Sequence, residues 1–129
     1  MSSEKKIIHS DKAPKAIGPY SQATQFQNLV FLSGQVGFVP ETGKLISDDI
    51  QEQTRQTLTN LKSVLEAGNS SLENVLKCTV LLDDMSNFAK MNEVYSEFFP
   101  SNPPARMAYA VKALPAGAKV EIEAIAISK

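Results

Sequence analysis

The segment Val75-Leu76-Lys77-Cys78-Thr79-Val80-Leu81-Leu82 constrains the fold more than any other part of the chain. It is rich in β-branched and aliphatic residues and reads as a strand. Alternation along a strand puts Val75 and Leu81 on one face, and Leu76, Cys78, Val80 and Leu82 on the other. Both sets are apolar in part, and a strand apolar on both faces is normally covered on both. The remaining sequence offers two helices, enough for one face. The second face is therefore expected to meet another copy of the chain, as in a symmetric homo-oligomer.

The helices follow from periodicity. Ile50, Thr54, Leu58, Leu61 and Leu65 recur at spacings of three and four, which predicts a helix from about Asp49 to Ala67. Asp48 and Asp49 suit its N-terminus and Gly68 its C-terminal cap. A second helix is expected from near Ser86 to Phe98, with Phe88, Met91, Tyr95 and Phe98 as its stripe. Pro100, Pro103 and Pro104 stop it. Further strands read at Lys6 to His9, Ala23 to Gln27 and Leu29 to Gln35, the last two turning at Gln27-Asn28. Two more follow in the last quarter. Residues 12–19 form a loop and residues 37–47 a surface excursion, each marked by glycine and proline. The order predicts one α+β domain over residues 1–129: a two-layer arrangement of a six-stranded mixed sheet with two helices on one face.

Composition excludes several functions. A net charge of −1 gives no global attraction for nucleic acid or an anionic membrane. Cys78 is the only cysteine and His9 the only histidine, so neither an intrachain disulfide nor a histidine–cysteine metal site can form. A histidine pair acting as acid and base is equally impossible within one chain. Cys78 reads as a reduced, buried thiol. No stretch approaches the ~18 apolar residues of a membrane span. Met1 to Lys6 lead directly into Ile7-Ile8, without the apolar or Arg-rich pattern of a leader. A cytoplasmic protein is expected, with mitochondria left open.

Arg106 and Glu121 carry the candidate chemistry. They lie in the strand-like runs Pro103 to Val111 and Val120 to Ala126, separated by the turn Leu114-Pro115-Ala116-Gly117. Strands joined by a short turn are expected to pair, which would bring a guanidinium and a carboxylate together on one sheet. A guanidinium holds a carboxylate in a fork of donors, and a free carboxylate can orient a water. The pair therefore suggests a small anionic substrate that reacts with water. Each residue also has a plain reading: Arg106 in a surface ion pair, Glu121 as one of two alternating glutamates, Asn92 as a solvated helix position, Tyr20 and Ser33 as loop or strand-end residues. Glu121, Glu123, Ile125 and Ile127 share one face. Val120, Ile122, Ala124 and Ala126 share the other and read as the helix-packed core.

Taken together, the motifs resemble the Rid family, also called YjgF or L-PSP. They are Ala16-Ile17-Gly18-Pro19-Tyr20-Ser21-Gln22-Ala23, Phe31-Leu32-Ser33-Gly34-Gln35, Val75 to Asp84, Met91-Asn92-Glu93-Val94-Tyr95, Pro104-Ala105-Arg106 and Val120-Glu121-Ile122-Glu123-Ala124. They occur in order over nearly the whole chain. Met107 departs from the smaller residue usual after the arginine, and as the neighbour of Arg106 it points to the opposite face. Ala108 stands where some members carry cysteine.

The resemblance implies a chorismate-mutase-like fold assembled as a homotrimer, with sites in clefts between subunits and no cofactor. It implies hydrolysis of enamine and imine intermediates, such as 2-aminoacrylate and 2-iminobutanoate, to 2-keto acids and ammonia. Arg106 would bind the substrate carboxylate and Glu121 would orient the water. Backbone groups near Gly34 and Ala108 would hold the imine nitrogen. Ser33, Asn92 and Tyr20 would line the cleft, Tyr20 reaching in from a neighbouring subunit. Two other readings go with the family: an endoribonuclease or translation inhibitor, and a non-catalytic ligand-binding or chaperone-like trimer.

Overall fold

The strand from Val75 to Leu82 sits inside the sheet, with neighbours on both edges. In the computed structural model, which describes residues 4–129, the strands are β1 (Lys6–Ile8), β2 (Ala23–Phe26), β3 (Leu29–Gln35), β4 (Phe38–Val39), β5 (Lys44–Leu45), β6 (Val75–Leu82), β7 (Ala105–Ala110) and β8 (Val120–Ile127). The helices are α1 (Ile50–Ala67) and α2 (Phe88–Phe98). Met1 to Ser3, the first half of the segment read for a leader pattern, lie outside the described residues. One six-stranded sheet runs in the order β1-β2-β3-β8-β6-β7, and β4 pairs with β5 in a separate ribbon within the predicted surface excursion. The β6–β7 pair is parallel and the other pairs are antiparallel, so the sheet is mixed. Both helices pack on one face, as the α+β reading expects.

Local chemistry fixes the ends of these elements. Asp49 caps α1 by accepting from the Glu52 N–H. At the other end Asn69 takes a left-handed φ of 56°, and the Ser70 N–H donates back to the Leu65 carbonyl. Gly68 holds the cap position with an ordinary φ, and its missing side chain admits Ile8: a Cβ there would stand 2.9 Å from Ile8 Cδ1. The β2–β3 hairpin turns at Gln27-Asn28 as predicted, with Gln27 at φ 54°. A 3-10 turn at Met85–Asn87 precedes α2.

The core lies between α1, α2 and the sheet. Leu58, Val80, Leu82, Met91, Val120, Ile122 and Ala126 are fully buried there. The alternation along β8 is as expected, with Val120, Ile122, Ala124 and Ala126 buried. Truncating Leu58 to alanine leaves a methyl-lined void and is expected to cost about 2–5 kcal/mol of unfolding free energy. That loss would show as a lower denaturant midpoint at unchanged slope.

Two expectations are overturned. The register of β6 against β8 shifts between Val75 and Lys77. The extra residue of this bulge leaves Val75 in the core and Leu76 exposed, the reverse of strict alternation. The open face of β6 is then Lys77, Thr79 and Leu81, more polar than predicted. Its apolar neighbours there come from other strands: Phe31, Met107 and Tyr109 are all exposed. Second, β7 and β8 do not pair. Helix α2 returns the chain parallel to β6 on its outer edge, and β8 enters on the inner side between β6 and β3. The connection through the 3-10 turn Pro115–Gly117 crosses β6 rather than closing a hairpin.

Candidate active site

The sheet separates the candidate residues into two groups. In register, Arg106 stands beside Cys78, and Cys78 beside Ala124, all on the helix face. Glu121 stands beside Leu81, on the open face. Within one chain Arg106 and Glu121 therefore lie on opposite faces with β6 between their strands, and the expected guanidinium–carboxylate pair does not form.

The first group is on the open face. Tyr20, Ser33, Gly34 and Glu121 line one cleft of about 430 Å³, with Lys15, Gln35, Pro115 and Glu123 among its other walls. The Glu121 carboxylate lies over Gly34: a Cβ on that glycine would be 2.5 Å from Oε2 and 2.9 Å from Cδ. Burial raises the Glu121 carboxyl above the usual carboxylate range, and the charge of Glu123 adds to the rise. Ser33 Oγ donates to the Ser21 carbonyl at 2.6 Å, which joins β3 to the loop carrying Tyr20. The Tyr20 hydroxyl accepts from the Ile17 N–H at 3.3 Å. Tyr20 and Glu121 thus line one cleft within a single chain.

Gly34→Ala tests this packing. The atom in the way is the end of a flexible side chain, so Glu121 yields rather than the backbone. The variant is expected to keep its thermal midpoint within a few degrees and, on the expectation that Glu121 orients the attacking water, to lose roughly tenfold or more in kcat/KM as the carboxylate is displaced.

The second group is on β7 and α2. Arg106 Nη1 donates to Asn92 Oδ1 at 2.7 Å. Ala108, two residues on, stands beside Val80 and is half-buried against the core. Cys78 is buried beneath, its thiol pushed up by desolvation, in accord with the buried thiol read from sequence. His9 is exposed and bonded to Asp11, away from both groups.

Sequence reasoning missed the residues that build the cleft walls. Gln22 is buried and ties the loop down: its Oε1 accepts from the Ser10 N–H, and its Nε2 donates to the Ser10 and Pro14 carbonyls. Asn60 of α1 donates to the carbonyls of Val36 and Phe38, which border the cleft. Gln53 accepts from the Lys119 N–H and donates to the Ser47 carbonyl. The available signal was the polar interruption of α1: Gln53, Thr57 and Asn60 fall beside the apolar stripe and are fully buried.

Two helices on one face of a mixed sheet, a cleft holding Glu121 and Glu123 on the other face, and Arg106 held against α2 on the edge strand define a two-layer α+β protein. The chain belongs to the endoribonuclease L-PSP family, the Rid family of the resemblance, whose sequence profile matches residues 10–128. It is 47% identical over 123 residues to Reactive Intermediate Deaminase A, chloroplastic, of Arabidopsis thaliana, covering 95% of this chain and 66% of that protein's length. It is 49% identical over 123 residues to the 2-iminobutanoate/2-iminopropanoate deaminase of Mus musculus, covering 95% and 91% respectively. A crystal structure of E. coli TdcF with bound serine superposes with a TM-score of 0.92 at 41% identity, over 96% of this chain and 98% of that one.

Proposed function

We propose that this chain hydrolyses imines of 2-keto acids, with 2-iminopropanoate and 2-iminobutanoate as the substrate class, and works as a single-domain homotrimer. The observation that carries the reading is the split of the site. Arg106 with Asn92 and Ala108 forms one half, and Glu121 with Tyr20, Ser33 and Gly34 the other, on opposite faces of the sheet. Two copies docked so that the α2–β7 edge of one meets the Glu121 cleft of the next would join the halves. The exposed Phe31, Met107 and Tyr109 on the open face suit such docking.

In the joined site the Arg106 fork binds the substrate carboxylate. Glu121 takes a proton from a water as that water attacks the imine carbon. With the imine nitrogen protonated, this gives a neutral carbinolamine. Glu121 returns its proton to that nitrogen, the C–N bond breaks, and the hydroxyl proton passes back through Glu121 as the 2-keto acid forms and the nitrogen leaves as ammonium. An enamine such as 2-aminoacrylate enters after tautomerising to its imine. Imine hydrolysis has a low barrier in water, so positioning and one proton relay suffice. Two deaminase relatives at 47% and 49% identity support the chemistry. Among the described residues no helix is long and apolar enough to cross a membrane.

The test is a competition assay. A threonine dehydratase generates 2-iminobutanoate in the presence of semicarbazide, and this protein is expected to lower semicarbazone formation. No effect on any of several amino-acid-derived imines would move the non-catalytic binding reading to first place. Steep salt-dependent RNA binding would favour the ribonuclease reading instead.

A further inference from the structure

The stripe of α2 does more than fill the core. Phe88, Asn92 and Tyr95 are spaced i, i+4, i+7 and so share one helix face. All three meet the Arg106 guanidinium. Asn92 accepts from Nη1 at 2.7 Å, and Cζ lies 4.8 Å from the Tyr95 ring centroid and 5.5 Å from that of Phe88. Both rings are within cation–π range. Tyr95 is itself fixed, buried and packed against Phe99 with centroids 4.8 Å apart. Its hydroxyl lies against the Cys78 thiol, and it is the ring that meets the guanidinium. Arg106 remains exposed, and the residues following it on its own face, Ala108 and Ala110, are small. Without the helix nothing on β7 would hold a flexible arginine side chain in place.

We infer that Phe88 and Tyr95 are positioning residues that, with Asn92, seat the Arg106 guanidinium before any anion arrives. The seat sets the cation over two rings and occupies one Nη1 donor. The other in-plane donors stay free for a planar carboxylate. Order that the protein has already imposed need not be imposed by the ligand, so the seat raises affinity for the anionic end of the substrate. As a statement about catalysis this rests on the imine-hydrolase reading; as a statement about Arg106 it does not.

The experiment separates the two. The chain contains only two arginines, Arg55 and Arg106, so its guanidinium Nε–H spectrum in 15N-labelled protein has two signals. Arg55, bidentate to Glu97, is the internal reference. The Arg106 signal is expected upfield through the ring currents of Phe88 and Tyr95. Tyr95→Leu should return it toward the unshifted position and raise KM for the imine roughly 2- to 30-fold with little change in kcat. Tyr95→Phe should retain both the shift and the KM. If Tyr95→Leu does not fold, Phe88→Leu serves for the same measurement. An Arg106 signal unshifted in the wild-type chain, or unmoved by loss of the ring, overturns the seat. If the wild-type protein hydrolyses no imine, the functional reading falls, and the shift and its loss in Tyr95→Leu still decide the seat alone.

Discussion

Arg106→Ala is expected to lower kcat/KM for 2-iminobutanoate by at least about 100-fold while leaving the fold intact. Hydrogen bonds to charged groups contribute about 1.5–3 kcal/mol each, so a two-point clamp on a carboxylate lost at once accounts for two or more orders of magnitude. Part of the loss should fall in KM, because the clamp holds the ground state as well. Part should fall in kcat, because a substrate free to rotate presents the wrong face to the water. The side chain is exposed, and its contacts with Asn92, Phe88 and Tyr95 are worth about 1 kcal/mol or less each, so the thermal midpoint should fall by several degrees at most. Arg106→Lys keeps the charge but not the planar fork, and should recover only a fraction of the loss. A wild-type rate in Arg106→Ala would sink the clamp.

The second large effect is on Glu121. Glu121→Gln keeps shape and removes the proton acceptor, so kcat is expected to fall roughly 10²- to 10⁴-fold with KM nearly unchanged. The pH profile should carry the same signature. The working form is the carboxylate, and both burial and Glu123 favour the protonated form. Activity should therefore decline as pH falls through a value above the ordinary carboxylate range, and recover as pH rises past it. Glu123→Gln removes one of the two causes and should move that limb to lower pH. A limb unmoved by Glu123→Gln would assign the acid transition to another group.

Much of this was legible from residues alone, for physical reasons. The α1 stripe and the alternation of β8 repeat often enough to specify which face is buried, and Asp49 marks the helix start through its own hydrogen bond. The strand ending at Leu82 was legible as a strand but not in register, since one extra residue at Leu76 reverses the faces before it and leaves no mark in composition. The misplacement of β7 has a different cause. Sequence proximity to β8 favoured a hairpin, whereas the crossover through α2 sets β7 on the far side of β6. Strand β7 also hides its orientation: the small residues Ala108 and Ala110 face the helices, and the larger Met107 and Tyr109 face outward. Each candidate residue falls in the strand, loop or helix read for it, yet the division into two groups on opposite faces depends on register and pairing order, which are set by long-range contacts. The seat around Arg106 was hidden because Phe88 and Tyr95 read as ordinary core positions.

The most direct test of a site shared between copies is complementation. Arg106→Ala and Glu121→Gln chains, each inactive alone, are mixed in equal amounts, unfolded and refolded together. If each site takes its arginine from one copy and its glutamate from the next in a closed ring, about a quarter of sites regain both residues, and activity should return to about a quarter of wild type. No activity above that of the separate variants, in refolded material shown to contain mixed oligomers, would contradict the shared site.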